Sequence, residues 1–168
     1  LLMTSTKNKV KSIQEQTQLA WQHKSTIKSF STELKNQVLH DISDLLIKNR
    51  ASILKANQYD VDAGTQSGLS QALIDRLTLT TERIYQLSKS IQDIAALEDP
   101  IGTCLESWTQ PNELFIEKIR VPLGCIGMIY EARPNVTADA IAIAIKTSNA
   151  IVLRGSQSAY HTNKAITD

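Results

Sequence analysis

Neither sign of charge dominates this chain: 18 Lys and Arg stand against 17 Asp and Glu, for a net charge of +1. So even a balance argues against nucleic acid or an acidic membrane surface as a partner, since both call for a basic field. Long apolar runs are also lacking. The longest are interrupted by Lys and Asp and are too short to span a bilayer. Leu1-Leu2-Met3-Thr4 turns polar within a few residues, which reads against a secretory signal. There are 2 cysteines, Cys104 and Cys125, with no CxxC spacing, and the 3 histidines form no HExxH or paired pattern. This points to a reducing compartment, the cytoplasm, with no disulfide framework and no metal site. No GxGxxG follows a strand pattern, which weakens a fingerprint dinucleotide domain.

What is present divides in two. The first hundred residues read as helices. Residues 7 to 24 carry Val10, Ile13, Thr17, Ala20 and Trp21 near a 3.6 period. Ser31 is a suitable N-cap for a helix with Leu34, Val38, Leu39, Ile42, Leu45 and Leu46 on one face. A third helix from Arg50 buries Ile53, Leu54 and Val61 and stops at Gly64 or Gly68. A short turn over 70–76 follows. Thr80-Thr81-Glu82 then opens a helix with the stripe Ile84, Leu87, Ile91, Ile94 and Leu97. Asp99-Pro100 ends it, because a residue before proline is driven out of the α region.

From Thr103 the period changes. Residues 103–109 and 114–121 alternate around the turn cluster Gln110-Pro111-Asn112-Glu113, which predicts a β-hairpin with Trp108 packing against Phe115. An apolar strand follows over 124–130, then Pro134 at the first turn of a helix bearing Val136, Ala140, Ile141, Ile143, Ala144 and Ile145. That helix is apolar nearly all round, so it is expected in the core. Residues 150–153 read as a short strand of a parallel sheet, and 158–168 as another helix. The fold class is therefore α/β: a helical shell over 1–100, a hairpin over 101–121, and the start of a Rossmann-like parallel sheet over 122–168. Two parallel strands leave such a sheet incomplete, so a longer polypeptide is expected.

The turn after the apolar strand concentrates chemistry. Glu131, Arg133, Pro134 and Asn135 stand where open α/β sheets place ligands, at the carboxyl end of a strand. A carboxamide at a helix start is a preorganised donor, or simply a cap. A guanidinium fork matches carboxylate or phosphate, or pairs with the neighbouring Glu131.

Residues 120–137, Arg-Val-Pro-Leu-Gly-Cys-Ile-Gly-Met-Ile-Tyr-Glu-Ala-Arg-Pro-Asn-Val-Thr, resemble the glutamate-5-semialdehyde dehydrogenase (γ-glutamyl phosphate reductase) family of the aldehyde dehydrogenase superfamily. Residues 146–155, Lys-Thr-Ser-Asn-Ala-Ile-Val-Leu-Arg-Gly, are similar to the family's next motif, and Asp75-Arg76-Leu77 also fits. The resemblance runs along essentially the whole chain, although the family's architecture is more than twice as long. It implies reduction of L-glutamyl 5-phosphate by NADPH to glutamate 5-semialdehyde and phosphate, in proline biosynthesis. It implies a cysteine nucleophile too, but neither Cys104 nor Cys125 lies in that motif. Both are expected as small buried apolar residues, and the 168-residue chain alone is expected to be inactive. The other reading is a non-catalytic remnant or interaction module.

The resemblance also assigns residues. Asn135 corresponds to the superfamily's oxyanion donor if the alignment shifts by two; ungapped counting from Gly127 sets Arg133 there instead. Arg133 is expected to face the acyl phosphate or the substrate carboxylate, with Glu131 orienting it. Arg154-Gly155-Ser156-Gln157 stands where the superfamily has Lys-Pro-Ser-Glu, so Arg154, Ser156 and Gln157 are cofactor candidates. Replacing the carboxylate by neutral Gln157 removes repulsion of a 2′-phosphate, which favours NADP over NAD. Lys164 and His161 are further candidates for that phosphate, or surface residues. Ser148 stands where the family carries glycine; it costs roughly 1 kcal/mol if the site is left-handed. The hairpin over 103–121 resembles the superfamily's oligomerisation element, which implies a homo-oligomer; the other reading is that it only packs on its own domain.

Overall fold

The computed structural model describes residues 12–168. Val10, and residues 7–11 of the expected first helix, lie outside them. Helix α1 (Ile13–Lys28) begins one residue after Ser12. Ser12 Oγ accepts from the Glu15 amide and the Glu15 carboxylate accepts from the Ser12 amide, closing both ends of a capping box. Ile13 and Trp21, expected on its buried face, are exposed. Leu19, Ala20, Lys24 and Ile27 are the half-buried positions instead.

Helix α2 (Thr32–Lys48) is capped by Ser31, whose hydroxyl accepts from the Leu34 amide. Its buried row is Lys35, Leu39, Ser43 and Leu46, while Leu34 and Leu45 are exposed. The expected stripe was therefore rotated, because a buried lysine and serine are invisible to a hydropathy reading. Helix α3 (Arg50–Gln66) runs through Gly64 and ends before Gly68, which takes φ +79. Gly64 is there for packing: a Cβ would come within 2.9 Å of a Leu69 methyl and 3.1 Å of an Ile74 methyl. Helix α4 (Gln71–Leu77) and helix α5 (Thr81–Ala96) follow, the latter capped by the Thr80 hydroxyl.

Strands β1 (Cys104–Thr109) and β2 (Phe115–Ile119) form the antiparallel hairpin. Trp108 stands opposite Ile116, and Phe115 opposite Thr109. Successive side chains alternate faces, so Trp108 and Phe115 lie on opposite sides and the expected pair does not form. The turn decides this, by closing the Gln110 amide on the Leu114 carbonyl with Glu113 at φ 66. Cys104 is exposed rather than buried, as is every residue of β1 among the described residues.

Strand β3 (Cys125–Ile129), helix α6 (Pro134–Lys146) and strand β4 (Ala150–Arg154) make one β-α-β unit with the strands parallel. A short 3-10 turn, Gln157–Ala159, leads into helix α7 (Tyr160–Thr167). Cys125 is half-buried in β3. α6 is buried through Ala138, Ala140, Ala142, Ala144, Thr137 and Lys146, while Ile143 is more than half exposed. Small residues let α6 approach α5 closely; the larger Ile143 points out of that contact. α1 lies along β4, α2 and α5 pack together and against α6, and α7 packs on α3. The main core joins Leu39, Leu46 and Ile53 to Ile84, Leu87 and Ile91 and to Ala138 and Ala142 of α6.

Buried polar groups tie these layers together. Lys35 forms an ion pair with Asp99, and its ammonium donates to the Ser148 hydroxyl at 3.1 Å. Lys146 donates to Asn36 Oδ1 and to the Ala95 carbonyl, each at 2.8 Å. Asn57 bonds the Leu77 carbonyl, the Leu79 amide and the Thr162 hydroxyl, stapling α3 to the α4–α5 turn and to α7. Asp60 accepts from the amides of His161 and Thr162 and from the Thr162 hydroxyl.

Candidate active-site clefts

The β3–α6 turn places the candidate residues. Tyr130 closes β3 by donating its amide to the Arg154 carbonyl. The Arg133 amide then donates to the Glu131 carbonyl at 2.8 Å, a tight reversal before the helix. Pro134 opens α6 at a position where its missing N–H wastes nothing. Asn135, one residue further, is exposed, and its amide nitrogen lies 3.4 Å from Asp139 Oδ2 one turn along the helix.

Two clefts flank this turn, and the sequence candidates divide between them. The first, about 460 Å³, has Arg133, Asn135 and Asp139 on one wall. Asp75, Arg76 and Arg83, from α4 and α5, form the other. Arg83 is fully engaged: it donates to the Asp75 and Thr78 carbonyls and pairs with the Asp75 carboxylate at 3.2 Å. Arg133 and Arg76 have no ion-pair partner among the described residues. Asp139 is half-buried, and among the described residues its carboxylate receives two long contacts, from Asn135 at 3.4 Å and Ser90 at 3.5 Å. Burial pushes its pKa up, against the opposing effect of those two hydrogen bonds. Glu131 is exposed, lines neither cleft and forms no ion pair with Arg133.

The second cleft, about 660 Å³, opens at the carboxyl end of β4. Arg154, Ser156 and Lys164 bring two cations and a hydroxyl to it, with Tyr130, Thr137 and Asn163 beside them. Those three form a chain: Tyr130 Oη and Thr137 Oγ1 are 2.6 Å apart, and Thr137 donates to Asn163 Oδ1 at 2.8 Å. Gly155 leaves room for this chain, since a Cβ would stand 2.3 Å from Asn163 Nδ2 and 3.1 Å from Tyr130 Oη and would push those side chains aside. Ser156 also caps the 3-10 turn, its hydroxyl accepting from the Ser158 amide. Gln157 is exposed and outside the lining, and His161 faces Tyr59 and Tyr160 instead. The residues fit a phosphorylated nucleotide: two exposed cations beside a hydroxyl at a strand end, where such ligands sit in α/β sheets.

Sequence reading missed Asp139, Arg83 and the Tyr130–Thr137–Asn163 chain. Asp139 lies one turn after Asn135, and that spacing was the available signal. Arg83 and Thr137 join their clefts through tertiary packing alone. Ser148 does take the left-handed conformation, at φ 54.

No protein-family model matches the chain. The gamma-glutamyl phosphate reductase of Geobacillus sp. (strain WCH70) is 55% identical over 141 residues, covering 84% of this chain and 34% of that protein. That of Halalkalibacterium halodurans is 47% identical over 152 residues, covering 90% of this chain and 36% of that protein. The crystal structure of gamma-glutamyl phosphate reductase from Thermotoga maritima superposes with a TM-score of 0.87 at 37% identity, over 91% of this chain and 37% of that one. The Saccharomyces cerevisiae enzyme gives 0.88 at 29% identity, over 93% of this chain and 40% of that one. The chain thus spans about a third of the length of the curated relatives it matches, at 34% for the Geobacillus protein. With half its residues shared and the same fold along nine-tenths of its length, the chain belongs to the gamma-glutamyl phosphate reductase family, as an N-terminal portion of it.

Proposed function

We propose that this chain supplies one wall of an NADPH-dependent reductase that converts L-glutamyl 5-phosphate to L-glutamate 5-semialdehyde and phosphate. What carries the reading is the β3–α6 turn, which sets a carboxamide and an unpaired guanidinium on one side and a cationic cleft on the other. The relatives' name supports the substrate class. NADPH supplies the hydride when bound. Arg154 and Lys164 hold its phosphates, Ser156 adds a hydroxyl, and Gln157 leaves the loop without a carboxylate that would repel the 2′-phosphate. Asn135 donates to the carbonyl oxygen as charge develops there, and a donor of this kind contributes about 3 kcal/mol to such steps. Arg133 faces a substrate anion, and Glu131 orients it through its backbone carbonyl, which accepts from the Arg133 amide. The nucleophilic thiolate belongs to a part of the polypeptide beyond this chain. Cys104 is exposed on the hairpin and Cys125 sits within β3, so neither stands in a cleft of this kind. The same reading places the protein in the cytoplasm, as a homo-oligomer assembled through the 103–121 hairpin.

The test is direct. The full-length polypeptide should reduce glutamyl phosphate with NADPH, whereas the 168-residue chain alone should show no turnover. Activity of the isolated chain, or preference of the full-length polypeptide for NADH, would overturn the corresponding part. Arg154→Ala should weaken NADPH by about tenfold and NADH far less, because only NADPH carries the extra phosphate.

A further inference from the structure

We propose that Asp139 receives the α-ammonium group of the substrate, in the cleft where Arg133 receives its α-carboxylate. The inference rests on the reductase reading above and adds to it the recognition of a free α-amino acid end.

The argument starts from an imbalance of charge. The cleft is walled by α4 and α5 on one side and the start of α6 on the other. One of its carboxylates, Asp75, is answered by Arg83. Asp139 is not: no cation pairs with it among the described residues, and its two contacts, at 3.4 and 3.5 Å, are long for hydrogen bonds. Half-buried carboxylates are ordinarily paired, because desolvation disfavours the charge. Arg133, at the N-cap position of the same helix, is the converse: a cation lining the cleft with no ion-pair partner and no capping bond from its side chain. One wall therefore presents an unanswered anion and an unanswered cation near the start of one helix, and Arg76 on the facing wall is a second cation without an ion-pair partner among the described residues. Between Arg133 and Asp139 lies Asn135, which already touches Asp139.

A ligand that completes both must carry a cation and an anion close together. An α-amino acid does. Its carboxylate also gains from the amino end of α6, where the helix dipole is positive. Neither a simple aldehyde nor a dicarboxylate would answer Asp139. The cleft volume of about 460 Å³ suits a molecule of glutamate's size.

The experiment uses the full-length polypeptide in the oxidative direction, with NADP and inorganic phosphate. Two aldehydes are compared: glutamate 5-semialdehyde and 5-oxopentanoate, which lacks only the α-amino group. Asp139→Asn should lower kcat/KM for glutamate 5-semialdehyde by about 10- to 100-fold. It should lower turnover of 5-oxopentanoate far less, so the preference for the amino substrate collapses. Asp139→Glu should restore part of it. Arg133→Met should lower both substrates alike, since both keep the carboxylate. Equal loss on both aldehydes in Asp139→Asn marks a merely structural residue and overturns the proposal, as does no loss on either. Absence of turnover of both aldehydes by the unaltered protein overturns the reductase reading itself, and this inference with it.

Discussion

Ser148 takes φ 54, a conformation that costs a non-glycine residue about 1 kcal/mol, yet it is buried and its hydroxyl accepts a hydrogen bond from Lys35. The two effects oppose each other, and substitutions separate them. Ser148→Gly relieves the backbone and loses the hydrogen bond. Ser148→Ala loses the hydrogen bond and keeps the strain. Since a hydrogen bond to a charged group contributes about 1.5–3 kcal/mol, the expected order of stability is native, then Ser148→Gly, then Ser148→Ala, with the variants about 1 kcal/mol apart. Urea midpoints at constant slope would establish this order; a Ser148→Gly variant more stable than native would show that the Lys35 contact contributes nothing. Asp139 gives a second test, through pH. Its folded pKa is raised by burial, so between the ordinary and the raised value the folded state holds a proton that the unfolded state has released. Stability therefore falls as pH rises through that interval, and the cost is complete above it. Asp139→Asn should melt higher than native at neutral pH, and the gap should close as pH falls towards the ordinary carboxylate value of about 4. A gap constant with pH would refute the cost. The sequence shows Asp139 one helical turn from Asn135, but nothing in it says that no cation among the described residues pairs with this carboxylate.

At the scale of elements, the helices and strands were legible because caps and periods are local. Ser31, Thr80 and Pro134 each start the helix they were expected to start. Faces were less legible. Lys35 occupies the buried row of α2 because Asp99, Ser148 and the Lys146 carbonyl converge on its ammonium from elements distant in sequence. Asp99 is pushed up by burial, but hydrogen bonds from Lys35, Thr32 and the Ile101 amide outweigh this and hold its carboxyl below the usual range. Replacing Lys35 with Met leaves that carboxylate without its cation, and a loss of about 3 kcal/mol is expected. Chemical unfolding of the full-length polypeptide measures it; a variant as stable as native would mean that the pair is no more than an equal alternative to an apolar contact. α6 is buried as expected of a helix apolar nearly all round, but its fully buried positions are mainly alanines; Ile145 packs beside Ala138 and Ala142 against the core, while Ile143 is exposed.

Across the whole molecule, the parallel sheet has two strands, and apolar side chains beside it stand bare. Leu123 and Ile129 are each 85% exposed and Val121 68%. With the chain spanning 34% of a relative, these positions are expected to be covered by the rest of the polypeptide or by a second copy. The 168-residue chain should bind an apolar fluorescent dye that the full-length polypeptide does not; equal binding by both would show that these side chains stay bare in the longer protein. The sequence by itself determined the order of elements, the change of period at Thr103 and the family, because caps, turns and motifs are written in neighbouring residues. Only the tertiary structure decided that Arg133 and Asn135 share a cleft with Asp139 while Arg154 and Ser156 open into another. Which side of a turn a side chain faces depends on the packing of α4, α5 and α7 around it, and that packing joins residues far apart in the chain.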